Sequence, residues 1–498
     1  MLNILEQEGA WWSYWREKTF GSIQKLESLA EYAARVYCSD SPEDLGLLVA
    51  AFARCVEDQT SRYLSIVESL IIYKDEHGST MKGLECVLLQ AKCHLDFGQP
   101  RRAWLMYRRG LTLAQLINLH RNYTISPERA CIWWNLYHGD RFASMLLGLP
   151  QGIDDANCVV ESDSSTNEFS MSTQMFMLQC GKVMGKVISR NQAAKEPPFS
   201  VTVQIEEELE SITQSMSPSW WEPSTLCMNS GIHESEVRTR LLTQAYFFHI
   251  RMYVHLSSMI KPRSDSRFQH SRKTCINSAR ELLRRFNILR SGLDGQTLFE
   301  CKTNDFVGFT AAVVLLMGLV NKISEISPNG DQEGWRLIKD AKIIFESLHT
   351  EKKCKMAFQC HQALELLSSA TENRNNGTNA SPVEIFIPYF GKVSIRGNTE
   401  PHLSGMPPPS HSSAPENNGD DTAGPSEHLD QSHYASTDAV FQCFPTTESW
   451  GVFGPGSGFD SPQLLLQDTG TMIGGEELSP WWSEPTIDID GDWHRFLD

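Results

Sequence analysis

"GLECVLLQAKCHLDFGQPRRAWLMYRRGLTLAQLINLHR", residues 83–121, reads as two helices and the turn between them. Leu84, Val87, Leu88, Ala91 and Leu95 recur at i, i+3, i+4, i+7 and i+11, the spacing that gathers apolar side chains on one helical face. Gly98 suits the left-handed residue that closes a helix, and Pro100 suits a first turn, where its missing N–H leaves no bond unmade. Beyond it Ala103, Tyr107, Gly110, Ala114 and Ile117 again share a face. Two such helices with a short link form an αα-hairpin.

The same period extends in both directions. Upstream, Ile23, Leu26, Ala30, Ala33 and Tyr37 are spaced as a helix, and Ser41-Pro42-Glu43-Asp44 has the form of a helix start. Downstream, Ser126-Pro127-Glu128 opens a helix through Leu147 that stops at Gly148-Leu149-Pro150. Further helices are predicted over Met171–Ile188, Val201–Thr213, Glu234–Ile260, Cys275–Leu289, Asn304–Ile323, Glu333–His349 and Lys352–Leu367. Strand-like alternation is confined to Val383–Ile387. The predicted body is therefore all-α.

After Ser368 the composition changes. Residues 371–381 are polar, and residues 397–435 are rich in Pro, Ser, Gly and His, too poor in apolar surface to offset chain entropy. From Phe441 onward acids alternate with isolated bulky residues, the composition of amphipathic activation segments. Of the formal charge of −17, the residues from Gly391 to Asp498 hold 17 Asp/Glu against 3 Lys/Arg. An acidic end thus follows an almost neutral body, a balance that opposes binding to phosphate backbones. The 13 cysteines have no framework spacing and suit free thiols in a reducing, intracellular setting. No secretory signal is read at the N-terminus, and Phe306–Val320 is short of a bilayer span and reads as a buried helix.

A second stretch, "ERACIWWNLYHGDRFASMLLGLPQGI" (Glu128–Ile153), completes a signature with the first. Met81–Asp155 resembles the regulatory domain, or middle homology region, of fungal zinc-cluster transcription factors. The resemblance rests on Arg101, Arg102 and Trp104 at the start of one helix. In the next it rests on Trp133, Trp134, Tyr137, Asp140 and Arg141, closed by Gly148 and Pro150. A looser similarity extends to "GFTAAVVLLMGL". The resemblance implies a large all-α domain, a nuclear location and a role in transcription, with secondary-metabolite gene clusters or nutrient use as the controlled pathway.

The residues themselves favour a structural part for that motif. Trp134, Tyr137 and Arg141 share a helix face, and Tyr137 and Arg141 are placed to stack. Asp140 and Arg141 point apart, so each needs a partner elsewhere, with Arg101 or Arg102 the candidates for Asp140. A buried polar clamp is expected rather than an inducer contact or catalysis.

Six cysteines in two C-x2-C-x6-C halves hold the zinc pair of that family. Here no two cysteines are closer than Cys354 and Cys360, and no other DNA-binding signature is read. No cofactor is expected, with zinc only if such a cluster precedes residue 1. The chain is read either as lacking a lost N-terminal cluster or as a regulator that works without DNA contact, alone or dimerised with a DNA-binding factor. Met1–Ser368 is assigned to the regulatory domain, Ala370–Asp438 to a linker and Ala439–Asp498 to activation. Trp450, Phe453, Trp481, Trp482, Trp493 and Phe496 are the expected anchors for coactivators or the transcription machinery. Lys261, Arg263, Arg267, Arg272, Lys273, Arg280, Arg284 and Arg285 form the strongly basic stretch, a solvated face or else a nuclear-import or acidic-partner patch.

Other chemistry is thinly signalled. Gly181–Lys186 echoes a phosphate loop but is one residue short and follows no strand. Asp154-Asp155 echoes the metal-binding acids of helical terpene synthases, the nearest enzymatic alternative, but the expected further acid is missing. Cys354, Cys360 and His361 are spaced for packing rather than chelation, and His249 and His255 read as core. A tetratricopeptide array would need a second copy of the 83–119 hairpin, which the sequence does not contain.

Overall fold

Short polar side chains start many of the helices. Ser41, Thr80, Ser126 and Ser172 each accept the backbone N–H three residues on, and Ser28 and Glu31 form a reciprocal capping box. In the computed structural model the described residues are 2–20, 27–56, 59–158, 171–222, 234–259, 261, 264–292, 295–320, 328–375, 383–387, 391–395 and 441–442.

The first half contains α1 (Leu2–Glu8), α2 (Trp11–Phe20), α3 (Leu29–Val36), α4 (Pro42–Cys55), α5 (Thr60–Val67), α6 (Asp75–Gly78), α7 (Met81–Asp96), α8 (Pro100–Leu116), α9 (Leu119–Asn122) and α10 (Pro127–Leu147). The second contains α11 (Thr173–Asn191), α12 (Phe199–Gln214), α13 (Pro218–Trp221), α14 (Glu234–Met259), α15 (Gln269–Ser291), α16 (Lys302–Val320), α17 (Pro328–Lys352) and α18 (Lys355–Asn375). The body is all-α. Beyond it Val383–Ile387 (β1) pairs antiparallel with Gly391–Ile395 (β2), from Val383 opposite Ile395 to Ile387 opposite Gly391. Phe441–Gln442 (β3) adds to the free side of β2.

Among the described residues two large hydrophobic cores result, beside a small cluster of Val237, Leu241, Leu289 and Leu298, and α10 belongs to both large ones. Ile132, Trp133, Leu136, Tyr137 and Ala143 enter the N-terminal core with α1–α5, α7 and α8, whereas Met145 and Leu146 enter the core built from α11 onward. The helix at 81–96 is buried nearly all round, including Glu85, whose carboxylate takes Arg16 of α2 at 2.8 Å. Its predicted stripe is therefore only part of its buried surface. The apolar α16 is buried from Asp305 to Leu319, and at its start Thr303 donates to the Leu95 carbonyl at the end of α7 (2.6 Å).

Two expectations are corrected here. The face of α3 that packs inward is Leu29, Tyr32, Ala33 and Val36, while Tyr37 is 82% exposed. The buried aromatic Tyr32 sets the rotation of so short a helix, its ring tilted against that of Trp12 at 4.9 Å. The last helix runs on to Asn375, past Ser368, with Ser368 and Thr371 buried and each bonded to the carbonyl four residues back. Most of the expected linker, the six tail anchors, Ile23, Leu26 and Arg263 lie outside the described residues.

Candidate functional site

α8 and α10 run antiparallel, so Trp104 meets Ser144 and Arg108, one turn later, meets Asp140. Trp104 Nε1 donates to Ser144 Oγ (3.0 Å), and Arg108 Nε lies 2.7 Å from Asp140 Oδ1. Arg101 and Arg102 stand at the start of α8, level with the far end of α10, which is why Arg108 and neither of them is the ion-pair partner of Asp140. The other Asp140 oxygen accepts the Gly152 N–H at 2.7 Å. Burial pushes this carboxyl up, against the lowering pull of Arg108 and the Gly152 amide.

Arg141 is fully buried and turns the opposite way. Its guanidinium lies 3.9 Å from the Tyr137 ring centre, donates to Asp155 (2.7 Å) and reaches the Gly181 carbonyl on α11 (2.7 Å). Tyr137 donates to the same Asp155 at 2.6 Å, its hydroxyl held protonated chiefly by burial. Asp155 completes this clamp, and local reading of the sequence missed it.

Two further motif features serve the same joint. Gly148 ends α10 at φ 65°, and the N–H of Leu149 returns to the Ser144 carbonyl. The Pro150 carbonyl then accepts from Ser144 Oγ (3.0 Å) and from Arg108. On α11, a Cβ at Gly181 would stand 2.6 Å from the His138 ring, and one at Gly185 would stand 2.6 Å from Arg141 Nη1. The glycine pair that echoes a phosphate loop is the place where α11 passes close to α10.

The face of α10 turned away from Asp140 borders a cavity of about 840 Å³. Cys131, Trp134, Asn135, His138, Gly139 and Phe142 line it at helical spacing. Leu88 and Leu95 close it from α7, Tyr246 and His249 from α14, and Leu282, Phe286 and Leu289 from α15. The Tyr246 hydroxyl is 3.5 Å from His138 Nδ1, and the Phe142 and His249 rings meet edge to face at 5.8 Å. Burial lowers His249 to about 3, so its imidazole is neutral across the physiological range. Lys92, in the lining, is paired with Asp96 at 2.8 Å, and Asp96 also takes Arg54. A second recess of about 480 Å³ shares Glu17, Thr173 and Thr239 with this cavity and so adjoins it.

A stripe of aromatic and polar residues on α10 was the available signal for the cavity. It reads equally well as core, and His249 read as core for the same reason. Trp133 does go to the core, fully buried, and Trp134 packs edge to face on Tyr137 at 5.2 Å.

The basic stretch does not form one exposed patch among the described residues. Arg272, Arg280 and Arg285 are buried, because α15 packs between α14, α16 and α17. Arg285 bonds Gln244 (3.0 Å), the Trp221 carbonyl (2.7 Å) and Glu281, while Arg284 takes Glu281 and Glu333. Lys261 pairs with Glu196 at 2.6 Å; Arg267 and Lys273 stand exposed.

Comparison with known proteins gives the chain a context. No protein-family model matches it. It is 27% identical over 383 residues to "Dehydrocurvularin biosynthesis regulator" of Alternaria cinerariae, covering 68% of this chain and 48% of the relative. It is 30% identical over 377 residues to "Transcription factor sdnS" of Sordaria araneosa, covering 69% and 48%. "Transcription factor eupR" of a Phoma species is 29% identical over 225 residues, 41% of this chain and 46% of the relative. The chain spans about half the length of the curated relatives it matches. Its homologues are thus fungal transcription factors and biosynthesis regulators.

Proposed function

We propose that this chain is a pathway-specific transcription regulator of a secondary-metabolite gene cluster, working in the nucleus. The observation that carries this reading is similarity across about two thirds of the chain to proteins named as transcription factors and biosynthesis regulators. The helical body has the regulatory part, consistent with its resemblance to the middle homology region. Contact with the transcription machinery falls to the acidic residues Ala439–Asp498, and contact with DNA to a zinc cluster outside residues 1–498 or to a dimer partner.

A regulator is favoured over a terpene-type enzyme by the fate of the acids that prompted the alternative. Asp155 is bound by Arg141 and Tyr137, and Asp154 caps the turn at the Ala156 N–H (3.0 Å). With Asp155 committed to Arg141 and Tyr137, the two acids do not form a free pair for a metal–diphosphate group.

Deletion of the gene followed by transcript profiling tests the proposal. A fall in a contiguous set of biosynthetic genes is expected, and an unchanged profile under producing conditions would overturn it. Fusing Ala439–Asp498 to a heterologous DNA-binding domain tests the acidic segment separately, with reporter output above the unfused control as the expected result.

A further inference from the structure

The cavity wall holds a polar group that neither core nor clamp employs. His249 is 1% exposed, and neither of its ring nitrogens has a hydrogen-bond partner among the described residues. A buried imidazole in that position is costly unless something meets it. Tyr246 lies one turn before it on α14, and among the described residues its hydroxyl meets Met184 Sδ at 3.6 Å and His138 Nδ1 at 3.5 Å, both long contacts. Two polar side chains therefore converge on one wall.

The remaining walls define what could meet them. Trp134, Phe142 and Phe286 present ring surfaces, and Leu88, Leu95, Leu282 and Leu289 present aliphatic ones. The cationic side chain in the lining, Lys92, is already paired with Asp96, the carboxylate that it shares with Arg54. A volume of about 840 Å³ lies within the range of small-molecule sites, which are mostly apolar with a few placed polar groups.

We propose that the cavity between the two cores binds one neutral, mainly apolar ring compound whose hydroxyl or carbonyl oxygen is received by His249 and Tyr246. The neutral imidazole offers one donor and one acceptor, so it can accept from a hydroxyl or donate to a carbonyl. An anion would be stripped of water with no free cation among the described lining residues to compensate. Because the lining comes from α2 and α7 of one core, from α11, α14, α15 and α16 of the other and from the shared α10, occupancy ties the two cores together. A compound of this class thereby becomes an effector of the helical body, whether or not the transcriptional reading holds.

The test uses the full chain and displacement of N-phenylnaphthylamine fluorescence by three shape-matched probes: para-phenylphenol, biphenyl and para-phenylbenzoate. We expect para-phenylphenol to compete at one site per chain, about tenfold more tightly than biphenyl, the worth of one well-placed hydrogen bond. The carboxylate should be the weakest. His249→Phe should abolish the hydroxyl preference and leave biphenyl affinity within about twofold, whereas His249→Gln should retain part of the preference. Ala245→Trp, which fills the cavity from α14, should weaken both neutral probes. Failure of para-phenylphenol to compete in the wild-type chain overturns the proposal, as does a preference for the carboxylate. A hydroxyl preference that survives both His249→Phe and Ala245→Trp also overturns it, by placing the probe elsewhere. Should His249→Phe fail to fold, the probe ranking in the wild-type chain and the Ala245→Trp variant decide.

Discussion

Outside the cavity face of α10, Asp140 and Arg141 are buried and point apart, Asp140 tied to Arg108 and Gly152, Arg141 to Asp155 and Gly181. On the cavity face, Cys131, His138 and Phe142 border a cavity whose far wall carries Tyr246 and His249. Both sides are aromatic and polar, and both lie within one 21-residue helix. The difference is in the bonding. The clamp side has charge matched to charge across four segments of chain, so removing one member strands the others. The cavity side has, in His249, a polar group without a hydrogen-bond partner among the described residues, so the fold does not depend on it.

The largest effect expected from that contrast is at Arg141. Arg141→Leu leaves Asp155 and the Gly181 carbonyl without their cation and should cost about 3 kcal/mol of unfolding free energy. That figure sits at the low end for a broken buried pair because Asp155 keeps a third of its side-chain exposure. Urea denaturation would measure it. A cost below that of an ordinary surface substitution would break the comparison.

A smaller effect is expected where α11 passes the clamp. Gly185→Ala places a Cβ about 2.6 Å from Arg141 Nη1 and against Gln151, so the guanidinium must shift. A loss of about 1–3 kcal/mol is expected, the usual range for an overpacked contact. Combining Gly185→Ala with Arg141→Leu should give less than the sum of the two single effects, because they disturb one joint.

The smallest effect at neutral pH is expected across the cavity. His249→Phe keeps the ring shape, removes two unbonded nitrogens and should change stability by within about 1 kcal/mol at pH 7. Acid separates the two proteins. The folded-state value of His249 is about 3 and its ordinary value 6.5. Below about pH 6.5 the unfolded chain takes up a proton that the fold refuses, so stability is full above that pH and falls toward pH 3. The slope of this component is up to about 1.4 kcal/mol per pH unit. His249→Phe should lack it, giving a flatter acid limb in denaturation titrations. Superimposable acid limbs would mean that His249 is not held neutral at that wall.

How much of this was legible in advance depended on the range of the interaction. Leu84 to Leu95, the Ser126 cap and the Gly148 stop are local signals, and the helices form where those signals stand. The stacking of Tyr137 and Arg141 was legible too, since four residues on one helix fix their separation. The partner of Asp140 was misplaced by two turns, because only the antiparallel crossing of α8 and α10 brings Arg108 level with it. Asp155 looked like a fragment of a metal motif, and Gly181 and Gly185 like a fragment of a phosphate loop. Each is explained by where Arg141 lies.

The sequence by itself determined the all-α class, the helix starts after Ser41 and Ser126 and at Pro100, the stop at Gly148, the strand-like alternation at Val383–Ile387 and the acidic character of the last hundred residues. Those follow from nearest-neighbour geometry, backbone propensity and charge count, which act within a few residues along the chain. Only the tertiary structure decided that Arg272, Arg280 and Arg285 turn inward, that the Arg141 guanidinium joins α10 to α11, and that α7, α10, α14 and α15 leave a cavity beside His249. Those depend on how helices far apart in sequence cross, and a side chain carries no local mark of which helix it will meet.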